Sequence, residues 1–127
     1  MLQYYINNRF KRGNKMKLFD NHSHLNDEKF DEDRDKIIKE IYESGVTNFI
    51  TAGYSVESSK KAIEISKKYD FIYTTAGVSP NDIPQTEEEL WKQLNEIEEI
   101  AKNNNKVVAI DEIFRREKEK QQKNEAE

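Results

Sequence analysis

Apolar positions along the chain follow two different periods. Short β-prone runs occupy residues 17–20, 47–51, 71–75 and 106–110. Longer stretches with helical spacing lie between them. Residues 33–44 place Ile37, Ile38 and Ile41 on one helical face, and Gly45 follows as a stop signal. Residues 56–69 repeat Ala62, Ile65 and Tyr69 at the same spacing. A third helix is predicted from Thr86, with Glu89 three residues on completing a capping box. Leu90, Leu94, Ile97 and Ala101 form its apolar stripe, with Trp91 and Ile100 alongside. One stripe per helix is the pattern of a helix packed on a sheet. The run Val107-Val108-Ala109-Ile110 has no polar alternation and predicts a strand buried on both faces.

Four strands separated by three helices imply right-handed βαβ units and a parallel sheet. The strand starts at 17, 47, 71 and 106 are one βα unit apart, as in an eight-fold barrel. Such a barrel needs about 250 residues, and this chain has 127. The predicted fold is therefore α/β: the first four βα units of a TIM-barrel-like parallel sheet, a half-barrel, followed by a charged helical or disordered tail.

Charge divides the chain. The formal net charge is −4, and 36% of residues are charged. Residues 1–15 are expected to be a basic, disordered leader, because no acid precedes Asp20. Residues 16–113 carry the βα pattern. Residues 114–127 lose the apolar stripe and are expected to be a solvated tail. Residues 82–99 hold seven acids and one lysine, so the sequence shows no basic stripe of the kind that lines a nucleic-acid channel. No apolar run approaches the ~20 residues of a membrane span. With no cysteine, disulfides, thiolate metal sites and a cysteine nucleophile are excluded. The expectation is a single domain in the reducing interior of the cell, cytoplasmic and without a membrane partner. The basic leader keeps mitochondrial targeting as the alternative.

Candidate chemistry gathers at two strand ends. Asp20-Asn21-His22-Ser23-His24 follows the first predicted strand and holds both histidines of the chain. Alternate residues of an extended chain share a side. His22 and His24, about 7 Å apart along such a chain, can therefore converge on one divalent ion. Asp20 lies on the same side and is placed to ligate or to hold a histidine ring. Glu112 follows the fourth predicted strand, which sets a carboxylate on the same rim, where parallel α/β folds carry their active sites.

Phe19-Asp20-Asn21-His22-Ser23-His24-Leu25 resembles the opening of the TatD family of metal-dependent deoxyribonucleases, which are amidohydrolase-like TIM barrels. The resemblance continues in order. Residues 30–35 resemble that family's first helix start, Ala52-Gly53-Tyr54 its second loop and Ala76-Gly77-Val78-Ser79-Pro80-Asn81-Asp82 its third. Val107 to Ile113 resemble its fourth strand and glutamate. The resemblance implies metal-dependent hydrolysis of DNA phosphodiester bonds, of the 3′–5′ exonuclease type. It assigns His22, His24 and Glu112 to a divalent metal (Mg, Mn or Zn), Glu112 to catalysis and Asp20 to their support. Ser79 and Asn81 stand where the family's third loop carries histidines, and Asp111 stands where it carries a glycine. Those departures motivate an alternative: a non-catalytic fragment or pseudoenzyme, forming a homodimer through its open barrel half. A third possibility is ester or amide hydrolysis, because the HxH opening is shared more widely.

Overall fold

The computed structural model describes residues 17–126; the predicted leader lies outside the described residues. Four strands, β1 (Leu18–Ser23), β2 (Val46–Ala52), β3 (Ile72–Ala76) and β4 (Val107–Ile110), form one sheet in the order β1-β2-β3-β4. Every neighbouring pair is parallel. Helices α1 (Arg34–Glu43), α2 (Val56–Lys68) and α3 (Glu87–Asn103) make the three crossovers, and α4 (Glu112–Ala126) leaves the end of β4. The predicted α/β order of four βα units is thus the observed one.

The helices begin and end where their chemistry requires. Ser55 caps α2: its hydroxyl accepts the Ser58 amide at 3.0 Å while Ser58 Oγ accepts the Ser55 amide at 3.0 Å. The two hydroxyls thereby satisfy amides that the helix leaves open. Thr86 Oγ1 accepts the Glu89 amide at 3.3 Å and opens α3. Gly45 ends α1 with φ 110°, a left-handed conformation open to glycine. Its carbonyl accepts the Leu18 amide at 2.8 Å, which ties the end of α1 to the start of β1.

Two apolar clusters hold the helices to the sheet. Ile38 of α1, Val46 and Phe49 of β2, Ile65 of α2 and Ile72 of β3 form one, with Leu25. Ala76 and Val78 at the end of β3, Leu90, Leu94 and Ile97 of α3, and Ile113 of α4 form the other. Fully burying one such aliphatic side chain contributes about 1.5–3 kcal/mol.

One expectation changes and one open alternative is decided. β4 is not buried on both faces: Val108 is 51% exposed and Ala109 is also exposed. It is an edge strand of the sheet, so a continuous apolar run here marks a surface and not a double-sided core. The charged tail is helical, and its first turn is anchored. Ile113 is buried, and Phe114 packs against the second cluster with Trp91. Lys118 lies 5.5 Å from the Trp91 and Phe114 ring centroids and 3.4 Å from Glu98. Further along, pairs such as Arg115–Glu119 at 2.5 Å run along a solvated helix.

Candidate functional site

β1 runs to Ser23, so His22 lies inside the strand and His24 directly after its last residue. Its pairing with β2 slips between Asp20 and Ser23, where three steps along β1 match two along β2. The extra residue is a bulge, a device that re-aims side chains at a sheet rim. Asp20 Oδ1 accepts the His22 backbone amide at 3.1 Å. Ser23 Oγ then donates to the Ile50 carbonyl at 3.0 Å and returns the chain to the sheet.

The two imidazoles meet at this end of β1. The His22 and His24 ring centroids are 4.8 Å apart with an interplanar angle of 88°, and both residues are exposed. Asp20 meets the main chain of His22 and neither ring.

The chain after His24 is pinned from both sides. Asn26 is 2% exposed. Its Nδ2 donates to the carbonyls of Ala52 (3.1 Å) and Ser58 (3.2 Å), and its Oδ1 accepts from Thr51 Oγ1 (3.1 Å). Arg34, at the start of α1, donates Nε to the Leu25 carbonyl at 2.6 Å and one terminal nitrogen to the Asp27 carbonyl at 2.9 Å. The same nitrogen reaches Asp31 at 2.5 Å, and Lys61 reaches Asp31 at 2.7 Å. These hydrogen bonds to two cations hold the Asp31 carboxyl below its ordinary value. Neither Asn26 nor Arg34 is conspicuous in the sequence. The one available signal is a polar residue, Asn26, directly after the apolar Leu25.

The other loops close around the same rim. Tyr54 follows β2; its amide donates to Ser58 Oγ at 2.8 Å and its carbonyl accepts the Ser79 amide at 2.7 Å. Its ring centroid lies 6.4 Å from that of His24. Ser79 and Asn81, at the positions singled out above, sit on a 3₁₀ turn (Pro80–Asp82), where Ser79 Oγ accepts the Asn81 amide at 3.3 Å. Gly53 admits no side chain, because a Cβ there would lie 2.8 Å from both Ser59 Cα and the Thr75 carbonyl oxygen.

Glu112 opens α4 just past β4; its side chain lies outside the described residues. β1 and β4 are the two edges of the sheet, so the histidines and Glu112 share its C-terminal end three strand spacings apart. That is about 14 Å measured along a flat sheet, and curvature shortens it. Asp111, between β4 and α4, is half-buried. Burial raises its carboxyl above the ordinary value, opposed by the amides of Phe114 (3.3 Å) and Val78. It lies over Gly77, where a Cβ would come within 2.0 Å of Asp111 Oδ2.

The donor chemistry fits a divalent metal in part. Two imidazoles that bind one ion at about 2.1 Å have ring centroids on the order of 5 Å apart, and these are 4.8 Å apart. Among the described residues, no three His, Cys, Asp or Glu side chains gather at metal-holding distance, and the Glu112 side chain is not among those residues. Among the described residues no helix is long and apolar enough to cross a membrane.

Comparison with known proteins gives this rim a lineage. The chain is 38% identical over 98 residues to the uncharacterized metal-dependent hydrolase YabD of Bacillus subtilis, covering 76% of this chain and 36% of that protein. It is 37% identical over 65 residues to the 3′-5′ ssDNA/RNA exonuclease TatD of Cronobacter sakazakii, covering 51% of this chain and 25% of that protein. It is 32% identical over 99 residues to the uncharacterized metal-dependent hydrolase MJ1582 of Methanocaldococcus jannaschii, covering 77% and 37%. The chain thus spans about a third of the length of the curated relatives it matches. The model of the family described as TatD related DNase matches residues 19–126, a span that takes in all four strands and the paired histidines, and the chain belongs to that family.

Proposed function

We propose that this chain carries the metal-binding half of a nuclease-type hydrolase that acts on nucleic-acid phosphodiester bonds at a 3′ end. The observation that carries the reading is the edge-to-face His22–His24 pair at the C-terminal end of β1, in a chain of this family. The names of its relatives support the substrate class: metal-dependent hydrolase and 3′-5′ ssDNA/RNA exonuclease. His22 and His24 would hold the ion from β1, Glu112 would complete the set from the start of α4, and Asp20 would fix the main chain beneath His22. A divalent ion bound there supplies a water of lowered pKa and neutralises charge that builds on the phosphate. The protein's part is orientation. The register of β1 slips around His22, and Asn26 and Arg34 hold the chain on either side of the residues that follow His24. The absence of cysteine fits a reducing, cytoplasmic setting for this activity.

A second reading is a non-catalytic member of the family that works as a homodimer. Ser79 and Asn81 favour it, because their hydrogen bond serves the turn and neither side chain brings an imidazole to the rim.

The test is release of nucleotides from a 3′-labelled single-stranded DNA with Mg²⁺, Mn²⁺ or Zn²⁺, alongside calorimetric metal titration. Hydrolysis that is abolished by chelation, and lowered more than about 100-fold by His22→Ala, His24→Ala or Glu112→Ala, is the expected result. Metal binding without turnover would favour the second reading. Failure of the wild-type protein to bind any of the three ions would overturn the assignment of His22, His24 and Glu112 to a metal.

A further inference from the structure

Tyr54 stands beside the histidine pair with its backbone fixed and its hydroxyl uncommitted. Its amide and carbonyl are both used, by Ser58 Oγ and by the Ser79 amide. The phenol has no hydrogen-bond partner among the described residues, and the residue is 38% exposed. An aromatic ring on a rigid backbone, presented to solvent 6.4 Å from an imidazole of the candidate site, has the form of a stacking platform.

The ground next to it selects what could stack there. Tyr54 lines a hollow of about 160 Å³ with Asn26, Ser55, Glu28, Glu57 and Lys61. Ligand pockets for whole drug-sized molecules run to about 300–1,000 Å³, so this one takes a single ring and not an entire nucleotide. Lys61 is engaged by Asp31 at 2.7 Å. Glu28 and Glu57 have no ion-pair partner among the described residues. A phosphate is disfavoured beside these two carboxylates. A neutral base is not, and its exocyclic amino group can donate to them.

We propose that Tyr54 and this hollow form a nucleobase subsite, in which the base next to the bond held at His22 and His24 stacks on the Tyr54 ring and turns its amino edge toward Glu28 and Glu57. The subsite rests on the nucleic-acid reading above and adds to it which part of the substrate is gripped, and by what.

Fluorescence anisotropy on the full chain tests this, with a chelator present so that nothing is hydrolysed. The probes are fluorescein-labelled oligodeoxycytidylate, oligodeoxythymidylate and an abasic strand of equal length. Wild type should bind the cytidylate about tenfold more tightly than the abasic strand, with the thymidylate in between because thymine lacks the amino group. Tyr54→Leu should bring the cytidylate down to the abasic level without changing abasic affinity. Tyr54→Phe should keep the wild-type preference. Far-UV circular dichroism and urea midpoints identify any variant that has lost the fold. Equal binding of base-bearing and abasic strands by wild type, or full cytidylate affinity in a folded Tyr54→Leu protein, overturns the subsite. If metal-dependent hydrolysis persists in that case, the proposed activity stands without it. Absence of both strand binding and hydrolysis in wild type overturns the two together.

Discussion

Asp111 shows how one carboxylate can hold two elements and weaken them at the same time. It caps the first turn of α4 through the Phe114 amide and sits over Gly77. Burial raises its pKa, so the folded state binds that proton more tightly than the unfolded chain does. Stability from this group is therefore present below the unfolded pKa and declines as pH rises through the folded one. Asp111→Asn retains an oxygen for the Phe114 amide and removes the charge. Urea unfolding should show the variant gaining on wild type as pH rises, with a larger advantage at about pH 7 than at about pH 3.5. An equal difference at both pH values would mean that the burial of charge is not what burdens this residue.

At the scale of elements, the segment between β1 and α1 gains its rigidity from Asn26. Asn26→Ala removes three hydrogen bonds and leaves two carbonyls and a hydroxyl without the partner they had. The expected cost is about 2–4 kcal/mol. Asn26→Asp should cost more, because a carboxylate would face the Ala52 and Ser58 carbonyls where an amide now donates. An unchanged urea midpoint in Asn26→Ala would refute this role. The strands and helices themselves were legible from sequence, because period and caps are local: Thr86 does cap α3, and Gly45 does end α1. What connects the elements was not legible. Asn26 and Arg34 act on carbonyls distant in sequence, and no local period marks them. The β1 bulge escaped for the same reason, since register is a property of a strand pair. β4 was misjudged because an apolar run reports composition and not which neighbours cover it. At the site, the histidine pair was visible as a spacing. The part of Tyr54 was not, because it depends on the loop after β2 coming to rest beside β1.

At the scale of the whole molecule, the sheet of the described residues ends at β1 on one side and β4 on the other. Parallel sheets are ordinarily covered on both faces, and here Phe19 of β1 is 57% exposed and Val108 of β4 51%. If two copies close with C₂ symmetry, β4 of one adjoins β1 of the other. Glu112 of one copy would then stand one strand spacing from the histidines of the other, about 5 Å, against about 14 Å along its own sheet. On that arrangement wild type runs by light scattering as two 15.1 kDa chains, and Phe19→Lys with Val108→Lys runs as one; a wild-type monomer refutes it. Metal binding gives a sharper test. A His22→Ala copy paired with a Glu112→Ala copy retains one intact set, made of the histidines of one and the glutamate of the other. Mixing the two inactive variants, followed by subunit exchange, should restore about a quarter of the wild-type metal-binding sites, because half the dimers are mixed and each has one good site of two. If each chain completes its own site across the mouth of its own sheet, mixing restores nothing, and the open face has some other use than completing the metal centre.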